Sequence, residues 1–274
     1  MESSDLSGLV DTHCHLNFDN FNQDRVAVVE KARAIGITRI LNPGVDVETS
    51  RTALDCAYSF PEVFAAVGFH PNDSLRWSND SMIQIRDLAG KDKVVAIGEI
   101  GLDYYRNRAP KELQKSIFQQ QLDLAEELDL PVIIHNREAD NDIREILLEW
   151  QNRLISNGRK LADYPGILHA FSGDLDLAED MVSHKFKIGI AGPVTFKNST
   201  LLHSVVVSLP LNAIVIETDA PFLSPHPYRG MRNEPANVRI VAEKIAELKK
   251  ETLDNVVKSS ASEADKLFRW REIH

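Results

Sequence analysis

Cysteine, positive charge and long apolar runs are all scarce in this chain. Its 274 residues hold two cysteines, Cys14 and Cys56, too few for a disulfide framework. Both are expected as reduced thiols of a cytoplasmic protein. Lys and Arg number 31 against 41 Asp and Glu, a formal net charge of −10. Coating duplex nucleic acid calls for a basic field, so broad salt-driven binding is disfavoured. A nuclease is not excluded, because bound divalent cations reverse the sign of charge where a phosphate sits. No apolar run approaches the ~18 residues of a membrane span. The opening "MESSDLSG" is polar and acidic, without a basic-then-apolar leader pattern. Linkers rich in Pro, Gly or Ser, internal repeats and coiled-coil heptads are missing as well. Residues 1–274 are therefore expected to form a single domain, a monomer with no membrane contact and no obligate protein partner.

What the chain does have is alternation. Eight β-rich runs recur: 8–15, 38–45, 63–71, 94–103, 131–137, 165–173, 186–194 and 213–221. Amphipathic stretches separate them, among them "KELQKSIFQQQLDLAEELDL", where Leu113, Ile117, Leu124 and Leu128 repeat at helical spacing. Pro110 suits a first helical turn, and Gly36 falls where the first helix should stop. The β-runs are nearly continuous Val, Ile, Leu and Ala, as in parallel strands covered by helices. Eight strand–helix units in this length fit an α/β fold, a (β/α)8 TIM barrel, with two closing helices from Asn237 onward. A doubly wound open sheet is the competing arrangement, but no glycine-rich phosphate loop follows the first run.

The runs end in titratable residues. His13 and His15 close the first, His70 the third, and Glu99 then Asp103 the fourth. His135 closes the fifth, His169 the sixth and Asp219 the eighth, so five of nine histidines lie on these ends. In a barrel the C-terminal strand ends converge on one face, where active sites are built. His13 and His15, two apart on a strand, point the same way, and alternation turns Cys14 aside. Imidazoles and carboxylates gathered there are costly to bury unless something satisfies them together, as a divalent cation does. A nitrogen and oxygen donor set without thiolate suits Zn, Mn or Fe, and Mg or Ni less specifically. The six candidates His13, His15, Glu99, His135, His169 and Asp219 are too many for one catalytic metal with about three protein ligands. Two metals sharing one carboxylate use all six, with Glu99 as the natural bridge, and such pairs serve phosphoester hydrolysis.

His70, in "GFHP", reads either as a site residue or as a turn-stabilising histidine. Asp103 suits a turn cap, a substrate contact or a support to the site. Arg229 and Arg232, after the eighth run, suit either phosphate contact or pairing with acids. Glu217 is read as deeper in the barrel, orienting a ligand, and Asp11 as a supporting or structural acid. Asn233, Glu234 and Pro235 are expected to cap the next helix. His184, His203, His226 and His274 are expected as surface groups.

The ordered motifs "DTHCHL" at 11–16, "GFHP" at 68–71, "AIGEIGLDYY" at 96–105 and "LPVIIHNR" at 130–137 resemble those of the TatD-like metal-dependent hydrolases. So do "ILHAFSG" at 167–173, "IETDAPFLSP" at 216–225 and "RGMRNEP" at 229–235, which carries the resemblance over essentially the whole chain. It implies a TIM-barrel hydrolase of the amidohydrolase superfamily with a one- or two-metal centre. It also implies His13, His15 and Asp219 around the first metal, His135 and His169 around the second, and Glu99 as bridge. In many superfamily relatives a carboxylated lysine takes that bridging place. The implied cofactors are two divalent ions (Mg, Mn or Zn). The implied activity is that of a deoxyribonuclease working 3′→5′ on a single strand of DNA. In this reading Asp219 is the general base toward the attacking water, and His70 steadies the phosphate. Ester or amide hydrolysis at the same site is the alternative, as in a D-aminoacyl-tRNA deacylase or a small-molecule amidohydrolase. A scaffold with structural metals is a third reading, disfavoured because structural sites are closed and often thiolate-rich.

Overall fold

A computed structural model describes residues 8–270 of the chain. Expectations for residues 1–7 and 271–274, His274 included, fall outside the described residues. Eight strands are present: β1 (Leu9–Asp11), β2 (Ile37–Pro43), β3 (Val63–Val67), β4 (Val94–Asp103), β5 (Val132–Arg137), β6 (Gly166–Leu168), β7 (Lys187–Ile190) and β8 (Ile214–Ile216). Helices α1 (Arg25–Ala34), α2 (Val47–Ser59), α3 (Asn79–Ala89), α4 (Lys111–Leu128), α5 (Asp140–Ser156), α6 (Leu175–Ser183) and α7 (Thr200–Ser208) fall between successive strands. Two more, α8 (Val238–Lys249) and α9 (Leu253–Phe268), follow the last strand.

Each strand pairs in parallel with the next in chain order, from β1 through β8. The ring closes through irregular bonds past the last ladder: Thr12 N–H to Ile216 carbonyl, Asp219 N–H to His13 carbonyl and His15 N–H to Ala220 carbonyl. A (β/α)8 barrel is thus the fold, as a parallel sheet wrapped by crossover helices requires. No helix among the described residues is long and apolar enough to cross a membrane.

Several β-runs are shorter than their apolar pattern suggests. β1 stops at Asp11, β3 at Val67, β6 at Leu168 and β8 at Ile216. The residues beyond leave the ladder because the chain there must turn out of the barrel toward the next helix. Those residues include His13, His15, His70, His169 and Asp219. Pro110 precedes α4 as its N-cap residue instead of lying inside its first turn, and Gly36 follows α1 with a φ of +93°. On α4, Ile117 and Leu124 are buried while Leu113 and Leu128 at its two ends are half-buried.

Both cysteines are packed in the core, Cys14 wholly so. Burial pushes the Cys56 thiol up to about 11 and the Cys14 thiol well above its ordinary value. The thiolate is the reactive form. Neither cysteine should therefore react with an aromatic disulfide reagent within minutes at pH 8 in the native protein, and both should react in guanidinium. Rapid labelling of the native chain would contradict this packing.

Candidate metal centre

Local sequence aims β4 at the barrel axis. Between Ile97 and Ile100 its register against β5 slips by one residue, a bulge that re-aims Glu99. Gly101 has a φ of +135°, and a Cβ there would meet the His135 carbonyl oxygen at 2.1 Å. Only glycine allows β4 and β5 to approach this closely beside the site.

Glu99 occupies the centre and divides its two oxygens. Oε2 lies 3.5 Å from Nε2 of both His13 and His15. Oε1 faces His169 Nε2 at 2.9 Å, His135 Nδ1 at 3.0 Å and His70 Nε2 at 3.4 Å. Asp219 Oδ1 stands on the first side, 3.6 Å from His13 Nε2 and 3.5 Å from His15 Nε2. Its φ of +56° is a left-handed conformation that Asp tolerates better than most residues, and its N–H is tied to the His13 carbonyl at 2.8 Å.

The cluster fits a cation. His13 and His15 bring their Nε2 atoms within 3.1 Å of each other, where one proton at most can lie between them. Among the described residues, the opposite ring nitrogens of His13 and His169 are buried and find no hydrogen-bond partner. Three overlapping groups each bring their donor atoms within 4.8 Å of one another: His13, His15 and Asp219; His13, Glu99 and His169; His70, Glu99 and His135. Nitrogen and carboxylate donors without thiolate are a borderline-to-hard set.

Burial and neighbouring charges push the groups apart in acidity. Burial, with His169 alongside, lowers His13 to about 4. Burial opposes charge on His135 too, but hydrogen bonds to Asp103 and Glu99 push it up to about 9. Against its burial, the charges of His169 and His70 hold the Glu99 carboxyl well below its ordinary value.

Outer partners fix the rings. His15 Nδ1 lies 3.1 Å from the Pro43 carbonyl oxygen, so it donates there and leaves Nε2 as acceptor toward the cluster. Asp103 Oδ2 lies 3.2 Å from His135 Nε2, while Asp103 also accepts from Arg106 N–H at 2.8 Å and Asn72 Nδ2 at 3.1 Å. Asp103 is thus both a turn cap and a support for His135. His70 faces Glu99 through Nε2 while its Nδ1 accepts from Asn72 N–H at 3.1 Å, which holds the turn that follows. Glu217 accepts from Thr12 Oγ1 and Ala170 N–H, and approaches His169 Nδ1 only to 3.9 Å. Asp11 binds Thr218 through its N–H at 2.9 Å and its hydroxyl at 2.6 Å, bracing the loop that carries Asp219.

The two arginines of the loop after β8 are placed differently. Arg232 grips Asp24 with two bonds of 2.8 and 2.7 Å, and also binds Glu234 and the Asn20 carbonyl. That guanidinium pins the loop after β8 to the loop after β1, which is the pairing with acids that the sequence offered as one of its two readings. Arg229 is exposed and lies over the Phe196 ring at 4.7 Å. Glu234 caps nothing with its side chain; Asn233 is the clip. Its amide donates to the Thr218 and Phe222 carbonyls and accepts from Glu234 N–H and Asn237. His184 and His203 are half-buried and bind backbone carbonyls, so they are not free surface groups; His226 is exposed.

Two positioning residues escape a reading by hydrophobic pattern. Gln121 and Gln114, seven apart on α4, are buried toward the barrel. Gln121 binds both the N–H (2.8 Å) and the carbonyl (3.0 Å) of Phe69, next to His70. Gln114 binds the N–H (2.9 Å) and carbonyl (3.1 Å) of Asp103. Polar side chains among Ile117, Phe118 and Leu124 were the available signal. Gln121→Ala leaves two buried backbone groups unpaired, so it should cost about 1–3 kcal/mol in urea unfolding. An unchanged midpoint would mean that water replaces the amide.

A family model for the TatD related DNases matches residues 10–269. The chain is 40% identical over 261 residues to YabD of Bacillus subtilis, an uncharacterized metal-dependent hydrolase, covering 95% of this chain and 99% of that one. It is 36% identical to the 3′-5′ ssDNA/RNA exonuclease TatD of Enterobacter lignolyticus, over 87% of this chain and 90% of that protein. Among solved structures, the TatD homologue YjjV of Escherichia coli K12 superposes with a TM-score of 0.89 at 30% identity, covering 96% of this chain and 99% of that one. With a full-length family match and this buried cluster at the barrel mouth, the chain belongs to the TatD-related DNase family of metal-dependent hydrolases.

Proposed function

We propose that the chain is a 3′→5′ exonuclease on single-stranded nucleic acid, using two divalent cations held by His13, His15, Glu99, His135, His169 and Asp219. The observation that carries this reading is the division of Glu99, with one oxygen toward His13 and His15 and the other toward His135 and His169. A carboxylate so divided suits a bridge between two ions. Support for the substrate comes from the relative named a 3′-5′ ssDNA/RNA exonuclease. Cations bound here, with Mg, Mn and Zn all compatible, would neutralise phosphoryl charge and make water acidic enough to attack near neutral pH.

The chain's own residues do the rest. Asp219, at the rim of the cluster, takes the proton of the attacking water. His70, held by Asn72, donates toward the phosphate and the departing 3′ oxygen. Asp103 keeps the His135 ring from turning.

The test is cleavage of 5′-labelled single-stranded DNA by metal-stripped protein refilled with Mg, Mn or Zn. A ladder shortening from the 3′ end, dependent on metal, is the expected result. If no metal restores cleavage of DNA or RNA, the reading fails, and aminoacyl esters and small amides become the substrates to try.

A further inference from the structure

We propose that two aromatic–arginine stacks on the mouth of the barrel hold bases of a single-stranded nucleic acid whose backbone enters the metal cluster. This rests on the exonuclease reading above and names how its substrate is gripped. The first stack lies after β4 and β5, where Arg137 sits 3.9 Å from the centre of the Tyr105 ring. The second lies after β7 and β8, where Arg229 sits 4.7 Å from the centre of the Phe196 ring. Every one of these residues follows or ends a strand, so all four belong to the face that carries Glu99.

Exposure and charge both point to a ligand. Tyr105 is 56% exposed and Phe222 is 51% exposed, while Phe196 is half-buried under Arg229. Phe222 meets Phe18 edge-on at 6.2 Å, and Phe18 stacks on His15 at 4.4 Å, so aromatic surface runs from the rim to the cluster. The loops 104–110 and 191–199 contain Arg106, Arg108 and Lys197 but no acidic residue, in a protein of net charge −10. Among the described residues these three, with Arg137 and Arg229, form no ion pair, while Arg232 beside them is fully engaged. Cations free of ion pairs beside the open Tyr105 ring and the half-buried Phe196 ring suit phosphates and unpaired bases together. A protein partner would not require the cations to share the barrel face that carries the cluster. A duplex hides the base faces that the rings would stack on.

Anisotropy of 5′-fluorescein-labelled phosphorothioate (dT)12 on the magnesium-loaded protein tests this. Tyr105→Ala is expected to raise Kd roughly tenfold, the effect of losing one base stack, with Tyr105→Trp restoring it. Arg229→Ala should raise Kd as well, and duplex of the same length should bind more weakly than the single strand. Tyr105 is open to solvent, and thermal melting checks that the variants stay folded. Kd values within twofold of the parent for both alanine variants, or equal binding of duplex, would overturn the proposal. Unmodified (dT)12 separates the two ideas. Cleavage with unaltered Kd in the variants overturns the stacks and leaves the exonuclease standing. Tyr105-dependent binding without cleavage supports the stacks and overturns the exonuclease.

Discussion

Glu99→Ala should lower kcat on a single-stranded oligonucleotide on the order of a thousandfold, with the protein still folded. The carboxylate touches both sides of the cluster, within 3.5 Å of His13, His15, His70, His135 and His169. Its removal leaves five imidazoles facing one another with Asp219 as their remaining acid on the first side. Paired cations supply several kcal/mol of stabilisation to a transferring phosphoryl group, and about 1.4 kcal/mol is tenfold in rate. Losing the proposed bridge should therefore remove several factors of ten. The fold should survive, because β4 is held by its ladders to β3 and β5 and not by this side chain. Initial rates with saturating metal check the claim. A loss below tenfold would mean that the ions, if two, do not depend on Glu99.

Asp219→Asn should lower kcat by about 10²–10⁴ while metal stays bound, the range for removing a general base. The substitution is conservative in the ways that matter for structure. Asn tolerates the left-handed backbone that Asp219 adopts at a φ of +56°, and its amide oxygen can still face His15. The backbone N–H bond to the His13 carbonyl is untouched. What asparagine lacks is basicity. Retained activity with metal bound would show that another group takes the proton. Loss of metal together with activity would instead make Asp219 a ligand foremost.

How much of this could be read from residues alone depends on how local each feature is. The barrel was legible, because eight apolar runs alternating with amphipathic ones are a long-range signal repeated many times. The cluster was legible for a similar reason: titratable residues at strand ends have few other reasons to recur, and the fold brings them together. The strand limits were not. Leu9–Asp11 and Ile214–Ile216 stop early because His13, His15 and Asp219 bond irregularly where the ring closes, and apolar content cannot tell ladder from loop. Arg232 was ambiguous because its partner Asp24 lies 208 residues away in sequence. Gln114 and Gln121 were hidden by their own chemistry. A glutamine on a helix ordinarily faces water, and only the neighbouring backbone ends of β3 and β4 give these two a reason to turn inward. The register slip at Glu99 was partly written in Gly98 and Gly101, but glycine permits a bulge without dictating one.

The most direct measurement is metal content. Protein stripped of metal, saturated with manganese and dialysed should hold two ions per chain by plasma mass spectrometry, and Glu99→Ala should hold one or fewer. Two ions retained without Glu99, or a single ion in the parent chain, would contradict the bridged centre on which the account rests.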